Sequence, residues 1–278
     1  MENEPARAKL RELEALLGAI GELHEVGVAL SGGVDSLTLA ALAHGVLGSR
    51  AAMYHARSPA VPFDARARVE TMAAERGWRL EVFDAGEFGC AEYLANPVDR
   101  CFYCKTSLYG SIRARTAAQL VSGTNLDDLG EYRPGLRAAS EQGVRHPYVE
   151  AGANKETVRA MARMLGLGLV AELPAAPCLA SRIETGIAID AAMLALVHAS
   201  ERLVGAAVEA RTVRCRVRAA GVVLELDAAS LNGIEPQRRA ELAGEVGGIF
   251  AGAGYSRPVS FAPYRNGSAF LVRGDERP

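Results

Sequence analysis

The segment Ser31-Gly32-Gly33-Val34-Asp35-Ser36 follows a short apolar run, Val26 to Leu30, and leads into a helical pattern from Ser36 to Leu47. Two glycines after a buried strand let the backbone approach phosphate oxygens, and the following helix directs free N–H groups at them. Ser31 and Ser36 add hydroxyl donors, and Asp35 stands where a carboxylate can hold Mg2+ against a pyrophosphate. No Gly-Lys-Ser/Thr occupies a Walker position, which argues against cleavage at a γ-phosphate. The same chain carries Cys101-Phe102-Tyr103-Cys104 and Pro177-Cys178-Leu179-Ala180-Ser181-Arg182. A device for cleaving ATP is thus joined to thiols that suit a sulfur or iron-sulfur centre.

A Cys-x-x-Cys pair can be a redox dithiol, half of a zinc site or part of an iron-sulfur site. Cys178 is the one further thiol in a motif-like setting, and His146 is the nearest fourth ligand for zinc. Three thiolates without an obvious fourth fit a [4Fe-4S] cluster with one open iron. The bland alternative is that all three are small buried apolar residues. Cys215, between Val213 and Val217 on the inward face of a strand, reads as core packing.

The elements that must position these residues alternate. A first amphipathic helix is predicted from Leu10, Leu13, Leu16, Leu17 and Ile20. Strands are expected at Val26 to Leu30, Ala51 to His55, Arg79 to Phe83 and Gln119 to Ser122, and helices at Asp64 to Arg76 and Cys104 to Thr116. Alternation of this kind predicts a parallel sheet covered on both faces, with ligands at the carboxyl ends of the strands. There the Ser31 loop and the Gly123-Thr124-Asn125 turn would meet. After Arg182 the pattern changes to a helix from Asp190 to Val204, strands at Thr212 to Arg218 and Val222 to Asp227 joined by a turn containing Gly221, a helix at Pro236 to Val246 and a final strand pair within Pro258 to Val272. We therefore expect an α/β domain at 1–182 and a small α+β domain at 183–278.

The chain has 278 residues, 49% of them hydrophobic, and a formal net charge of −2, enough to bury a core and with no global excess for nucleic acid or a membrane surface. Only Lys9, Lys105 and Lys155 among the 31 basic residues are lysines, and two of those fall inside the motifs. The acidic start, Met1-Glu2-Asn3-Glu4, does not read as a secretory signal. No apolar run approaches the ~20 residues needed to cross a bilayer. Few, closely spaced cysteines suit a reducing compartment, so a cytoplasmic protein is expected.

The six-residue loop resembles that of the PP-loop ATP pyrophosphatases, which cleave ATP between the α- and β-phosphates. The resemblance implies adenylation of a substrate oxygen and then displacement of AMP by a nucleophile. Further segments occur in order: Arg100-Cys101-Phe102-Tyr103-Cys104-Lys105-Thr106, Gly123-Thr124-Asn125-Leu126-Asp127-Asp128, Tyr132-Arg133-Pro134-Gly135-Leu136-Arg137, Pro177 to Arg182, and Tyr264-Arg265-Asn266-Gly267-Ser268. Together they resemble the LarE family, ATP-dependent pyridinium-3,5-biscarboxylic acid mononucleotide sulfurtransferases of nickel-pincer nucleotide biosynthesis, which serves lactate racemase. The implied fold is a PP-loop, adenine nucleotide alpha hydrolase-like parallel sheet. The implied reaction adenylates a carboxylate of the pyridinium nucleotide and replaces AMP with sulfur, giving a thiocarboxylate. Some members sacrifice the sulfur of a cysteine at the position of Cys178, leaving dehydroalanine. Others hold a [4Fe-4S] cluster on three cysteines, the open iron carrying transferable sulfide; with Cys101 and Cys104 present, this chain resembles that type.

On this reading the cofactors are ATP, Mg2+ and a [4Fe-4S] cluster held by Cys101, Cys104 and Cys178. Catalytic roles fall to Cys178, Asp35 and Arg182. Nucleotide contacts fall to Ser31, Gly32, Gly33, Val34, Asp35, Ser36, Gly123, Asn125, Asp127 and Lys155, and substrate contacts to Ser181, Arg182, Glu201, Arg214 and Arg216. For Asp127 and Asp128 the alternative is an Asx-type turn, and for Lys155 an ordinary solvated helix residue. For Arg214, Arg216 and Arg218, with Glu225 and Asp227 opposite, the alternative is a set of ion pairs on a solvated face. The expected partners are a small nucleotide substrate, a sulfide donor and other nickel-pincer biosynthesis proteins, with the chain in a homo-oligomer. Competing functions are another PP-loop synthase, in NAD synthesis or tRNA thiolation, and a nucleotide or redox sensor. Against tRNA stands the lack of basic excess or of an RNA-binding module.

Overall fold

The computed structural model describes residues 4–130, 133–174 and 177–271. The helices run in order as α1 (Glu4–Leu23), α2 (Val34–Leu47), α3 (Phe63–Arg76), α4 (Ala91–Leu94), α5 (Arg100–Arg113), α6 (Pro134–Glu141), α7 (Pro147–Glu150), α8 (Lys155–Met164), α9 (Ala191–Val208), α10 (Ala228–Gly233) and α11 (Pro236–Gly252). The strands are β1 (Val26–Ala29), β2 (Ala51–Ala56), β3 (Arg79–Phe83), β4 (Gln119–Ser122), β5 (Val213–Arg218), β6 (Gly221–Leu226) and β7 (Val259–Pro263). The chain forms two compact units, Met1–Cys90 with Asp99–Ala176, and Ala91–Val98 with Pro177–Pro278.

In the first unit the expected α/β architecture is present as a four-stranded, all-parallel sheet in the order β3-β2-β1-β4. Alternate residues of each central strand face opposite ways, as a strand's period of two requires. Val26 and Val28, Ala51 and Met53, and Val121 join a cluster with Leu13, Leu17, Leu37 and Met161 of the helices. Their neighbours Ala29, Ala52, Tyr54 and Leu120 join a second cluster with Tyr109, Ile112 and Ala139. Helices on both faces explain why the strands read as unbroken apolar runs. From β1 the chain builds outward through β2 and β3, then crosses to β4 on the other side of β1. This reversal opens a crevice beyond the carboxyl ends of β1 and β4.

The second unit has a mixed three-stranded sheet, β5-β6-β7, with β5 antiparallel and β7 parallel to β6. Buried Leu242, Val246 and Phe250 of α11 and Val197 and Val204 of α9 complete its core. The short excursion Ala91–Val98 is tied in by Asn96, which is fully buried and left-handed at φ 54°. Its side-chain amide donates to the carbonyls of Glu184 at 2.9 Å and Ile187 at 2.8 Å. Helix α9, 18 residues with mean hydropathy 1.4, is long and apolar enough to cross a membrane by length and composition, where the sequence showed no such run. It holds Glu201 inside that span and buries Met193, Leu194, Val197, Ser200 and Val204.

Several boundaries moved, among them α9 and α11, which run on to Val208 and Gly252. The helix expected from Cys104 begins at Arg100, because the Asp99 carbonyl already accepts the Phe102 N–H at 2.7 Å. Gly221 belongs to β6 rather than to the turn before it. The final strand pair is the single strand β7 among the described residues, because the Ala269 carbonyl instead accepts the Thr185 N–H at 3.0 Å. Val272, Tyr132 and Met1 to Asn3 lie outside the described residues.

At the end of β2, His55 is buried and its Nδ1 lies 2.8 Å from the Leu30 carbonyl, so Nδ1 carries the proton. Burial, the largest cause, lowers its pKa despite that carbonyl. As pH falls the unfolded chain takes up the proton first, so this contribution to stability is intact above about 6.5 and is lost below it. His55→Asn, which can keep a donor to Leu30, should show a shallower fall in melting temperature between about pH 7.5 and 5.5 than the parent. Equal slopes in thermal melts would contradict this assignment.

Candidate active site

Ser31 to Ser36 turns from β1 into α2 at the sheet's reversal point, and Gly33 is the N-cap with no side-chain cap. The N–H groups of the first turn have no acceptor in their own helix, the arrangement by which a helix N-terminus can take an anion. The loop is braced from within. Ser36 Oγ takes the Ser31 N–H at 3.2 Å and donates to the Gly33 carbonyl at 3.1 Å. Gly32 is left-handed, φ 84°, and a Cβ there would stand 2.7 Å from the Ala65 carbonyl oxygen. Arg68 Nη1 donates to the Gly32 carbonyl at 2.8 Å, so α3 holds the loop from one side.

From the other side comes the turn after β4. A Cβ on Gly123 would meet the Asp35 carbonyl carbon and the Ser36 nitrogen at 2.9 Å, and only glycine allows this approach. Asn125 Nδ2 then donates to Asp35 Oδ1 at 3.2 Å, and Lys155 Nζ pairs with Asp35 Oδ2. Lys155 opens α8, whose N-cap Asn154 accepts the Thr157 N–H at 2.9 Å. Asp127 Oδ2 accepts the Lys155 N–H at 2.9 Å, and Asp128 pairs with Arg133 at 2.8 Å. Of the expected nucleotide residues, Asn125 and Lys155 thus meet the Asp35 carboxylate, and Asp127 holds the Lys155 N–H. Tyr148, fully buried, adds a bond from its hydroxyl to the Asp35 carbonyl at 3.0 Å.

Cys101 and Cys104 lie three residues apart on the first turns of α5, hence on one helix face, and both are half-buried. Arg137 of α6 stacks 3.8 Å from the Phe102 ring centroid, and a Cβ on Gly135 would meet Lys105 Cγ at 3.0 Å. The Pro134 to Arg137 motif is thereby accounted for as packing against the cysteine turn. His146 Nδ1 lies 2.8 Å from Ser122 Oγ, and burial lowers its pKa.

In the second unit Cys178 is exposed, whereas Leu179, Ala180, Ser181, Arg182 and Ile183 after it are buried. This segment docks on the outer edge of β5, where Ile183 bridges Val217. Arg182 forms a fork with Glu201, Nε to Oε1 at 2.8 Å and Nη2 to Oε2 at 3.1 Å. Arg216 donates to Glu225 at 3.1 Å, to the Ser181 carbonyl at 2.9 Å and to the Arg265 carbonyl at 3.3 Å. Glu225 also takes Arg218 at 2.8 Å and Ser268 at 2.7 Å. Burial opposes its ionisation, but the Ser268 hydrogen bond and the two arginines outweigh that and lower its pKa. The arginine strand is therefore not a solvated ion-pair face at Arg216, and Asp227 is not paired across it: Asp227 caps α10, accepting from Ser230. Arg214, half-buried, has its guanidinium 5.9 Å from the Tyr264 ring centroid. Cys215 is core, as expected, with its thiol pKa pushed far up by burial.

No protein-family model matches the chain. An uncharacterised protein of Synechocystis sp. is 36% identical over 194 residues, 68% of this chain and 72% of that protein. The pyridinium-3,5-bisthiocarboxylic acid mononucleotide synthase of Lactiplantibacillus plantarum is 31% identical over 157 residues, 55% of this chain and 57% of the synthase. Over the stretch it shares with the synthase, the chain is LarE-like. An uncharacterised protein of Methanocaldococcus jannaschii is similar to this LarE-like chain at 26% identity over 161 residues, 56% of this chain and 60% of that protein.

Sequence reasoning missed several supports of the site. Arg68 and Tyr148 act through backbone carbonyls of the loop and His55 through that of Leu30 just before it, and nothing in their local sequence marks them. Ser268 was within a quoted motif, but its partner Glu225 is 43 residues away. Arg216 and Glu225 have side-chain exposures of 4% and 2%, so removing one partner strands a buried charge. Glu225→Ala should cost about 3–5 kcal/mol of second-unit stability, with Glu225→Gln milder. Denaturant melts would contradict this if Glu225→Ala lost less than about 1 kcal/mol.

Proposed function

We propose that this LarE-like protein is an ATP-dependent sulfurtransferase acting on a carboxylate of a pyridinium mononucleotide. The observation that carries this reading is that Asn125 and Lys155 meet Asp35 of the Ser31 loop at the reversal point of a parallel sheet. The synthase of Lactiplantibacillus plantarum, a sulfur-inserting enzyme by its name, supports the substrate class.

In the first step a substrate carboxylate oxygen attacks the α-phosphorus of ATP, the Pα–O bond to the β-phosphate breaks, and pyrophosphate leaves. The first-turn N–H groups of α2, Ser31 and Lys155 receive the charge on the phosphates. The carboxylate of Asp35, partly exposed at 22%, is a suitable oxygen ligand for Mg2+, which would shield the pyrophosphate. In the second step sulfur attacks the carbonyl carbon, the C–O bond to AMP breaks, and a thiocarboxylate forms. Cys101 and Cys104 are half-buried on one helix face and Cys178 is exposed, and among the described residues no three His, Cys, Asp or Glu side chains are gathered to hold a metal ion. The [4Fe-4S] reading therefore rests on the cysteine motifs of the sequence, and such a cluster would supply the sulfur as replaceable sulfide. Sacrifice of the Cys178 sulfur is the second reading, and its exposure suits that.

Anaerobic protein with ATP and pyridinium-3,5-biscarboxylic acid mononucleotide should release AMP and pyrophosphate and form a thiocarboxylate. Asp35→Asn should lower AMP formation at least ~100-fold. Cys178→Ala should abolish transfer and the iron and acid-labile sulfide content. Iron-free protein that transfers one sulfur and gains dehydroalanine at Cys178 would select the sacrificial reading. Absence of AMP with any pyridinium carboxylate would overturn both.

A further inference from the structure

We propose that Glu201, acting through Arg182, is the residue that positions the Cys178 sulfur. This rests on the reading of Cys178 as the sulfur-delivering position. It gives Arg182 and Glu201 a role different from the substrate contacts first expected of them.

The direction of the Cα–Cβ bond that carries the thiol is set by the two peptide planes that flank Cα, since each plane is rigid. Arg182 holds both. Its Nη1 donates to the Pro177 carbonyl at 2.6 Å and to the Cys178 carbonyl at 3.2 Å, with Ser181 Oγ at 3.0 Å. Those carbonyls belong to the peptide groups before and after Cys178, so one guanidinium fixes both torsions of that residue. The guanidinium is itself fixed by the two-point fork with Glu201, a geometry that resists rotation. Glu201 in turn is anchored to the sheet, because its Oε1 accepts the Cys215 N–H of β5 at 3.0 Å. From the other side Arg216 holds the Ser181 carbonyl at 2.9 Å. A rigid strand thus governs an exposed thiol through one carboxylate and one guanidinium. Arg182 and Glu201 side chains are only 3% and 12% exposed, which suits internal struts better than anion receptors.

The test uses full-length Arg182→Lys and Glu201→Gln. Glutamine keeps an acceptor for the Cys215 N–H but loses the charged fork; lysine keeps the charge but cannot span both carbonyls and the carboxylate. Amide exchange of the Leu179 to Ile183 peptide, with no substrate present, should accelerate at least ~10-fold while the β1 to β4 peptides stay unchanged. In turnover, kcat for thiocarboxylate formation should fall about 100-fold with KM for the pyridinium nucleotide within about threefold. If Arg182→Ala folds, added guanidinium ion should restore part of its kcat. A raised KM with unchanged kcat and unchanged exchange would make Arg182 a substrate ligand and overturn the proposal. Faster exchange in protein that never forms a thiocarboxylate would uphold the strut and refute the sulfurtransferase reading instead.

Discussion

A guanidinium buried without a counter-charge costs several kcal/mol, and the second unit contains two guanidiniums that must avoid that cost. Arg182 is paired with Glu201, and Arg216 with Glu225. These pairs do more than neutralise charge, because each arginine spends its remaining donors on backbone carbonyls: Pro177 and Cys178 for one, Ser181 and Arg265 for the other. The segments carrying Cys178 and Ser268 have little regular structure of their own. They are held where they are by ionic groups on α9, β5 and β6. That arrangement lets a thiol be exposed while the five residues after it are buried.

The first unit solves a different electrostatic problem. On the proposed function its crevice must accept several negative charges yet remain stable without them. Asp35 sits at the start of α2, where the helix dipole favours an anion, and its two oxygens take Asn125 and Lys155. The loop's shape does not depend on a ligand, because Ser36, Arg68 and Tyr148 brace its backbone from inside the fold. Gly32 and Gly123 matter for the same reason: each permits a backbone approach that any side chain would block.

The parallel sheet was legible in the sequence because strands buried on both faces read as continuous apolar runs, and the four strands from Val26 to Ser122 fell where expected. The loop and the Gly123 turn could be assigned to one end of that sheet because their neighbours are regular elements. Legibility failed where long-range charge pairing decides structure. The alternation of Arg214, Arg216 and Arg218 fixed a shared face but not its burial, since burial depends on Ser181 and Ser268 arriving from distant segments. Asp227 was read as a strand residue, whereas its local competition for Ser230 N–H makes it a cap. The excursion of Ala91–Val98 into the second unit hangs on Asn96, whose left-handed backbone leaves no composition signal.

The central claim is that the Asp35 crevice activates a carboxylate which sulfur then attacks. It is tested most directly by following oxygen rather than sulfur. With the pyridinium nucleotide labelled with oxygen-18 in its carboxylates, the account predicts that each AMP released carries one labelled oxygen in its phosphate and that pyrophosphate carries none. Unlabelled AMP, or ADP with inorganic phosphate as the products, would contradict it.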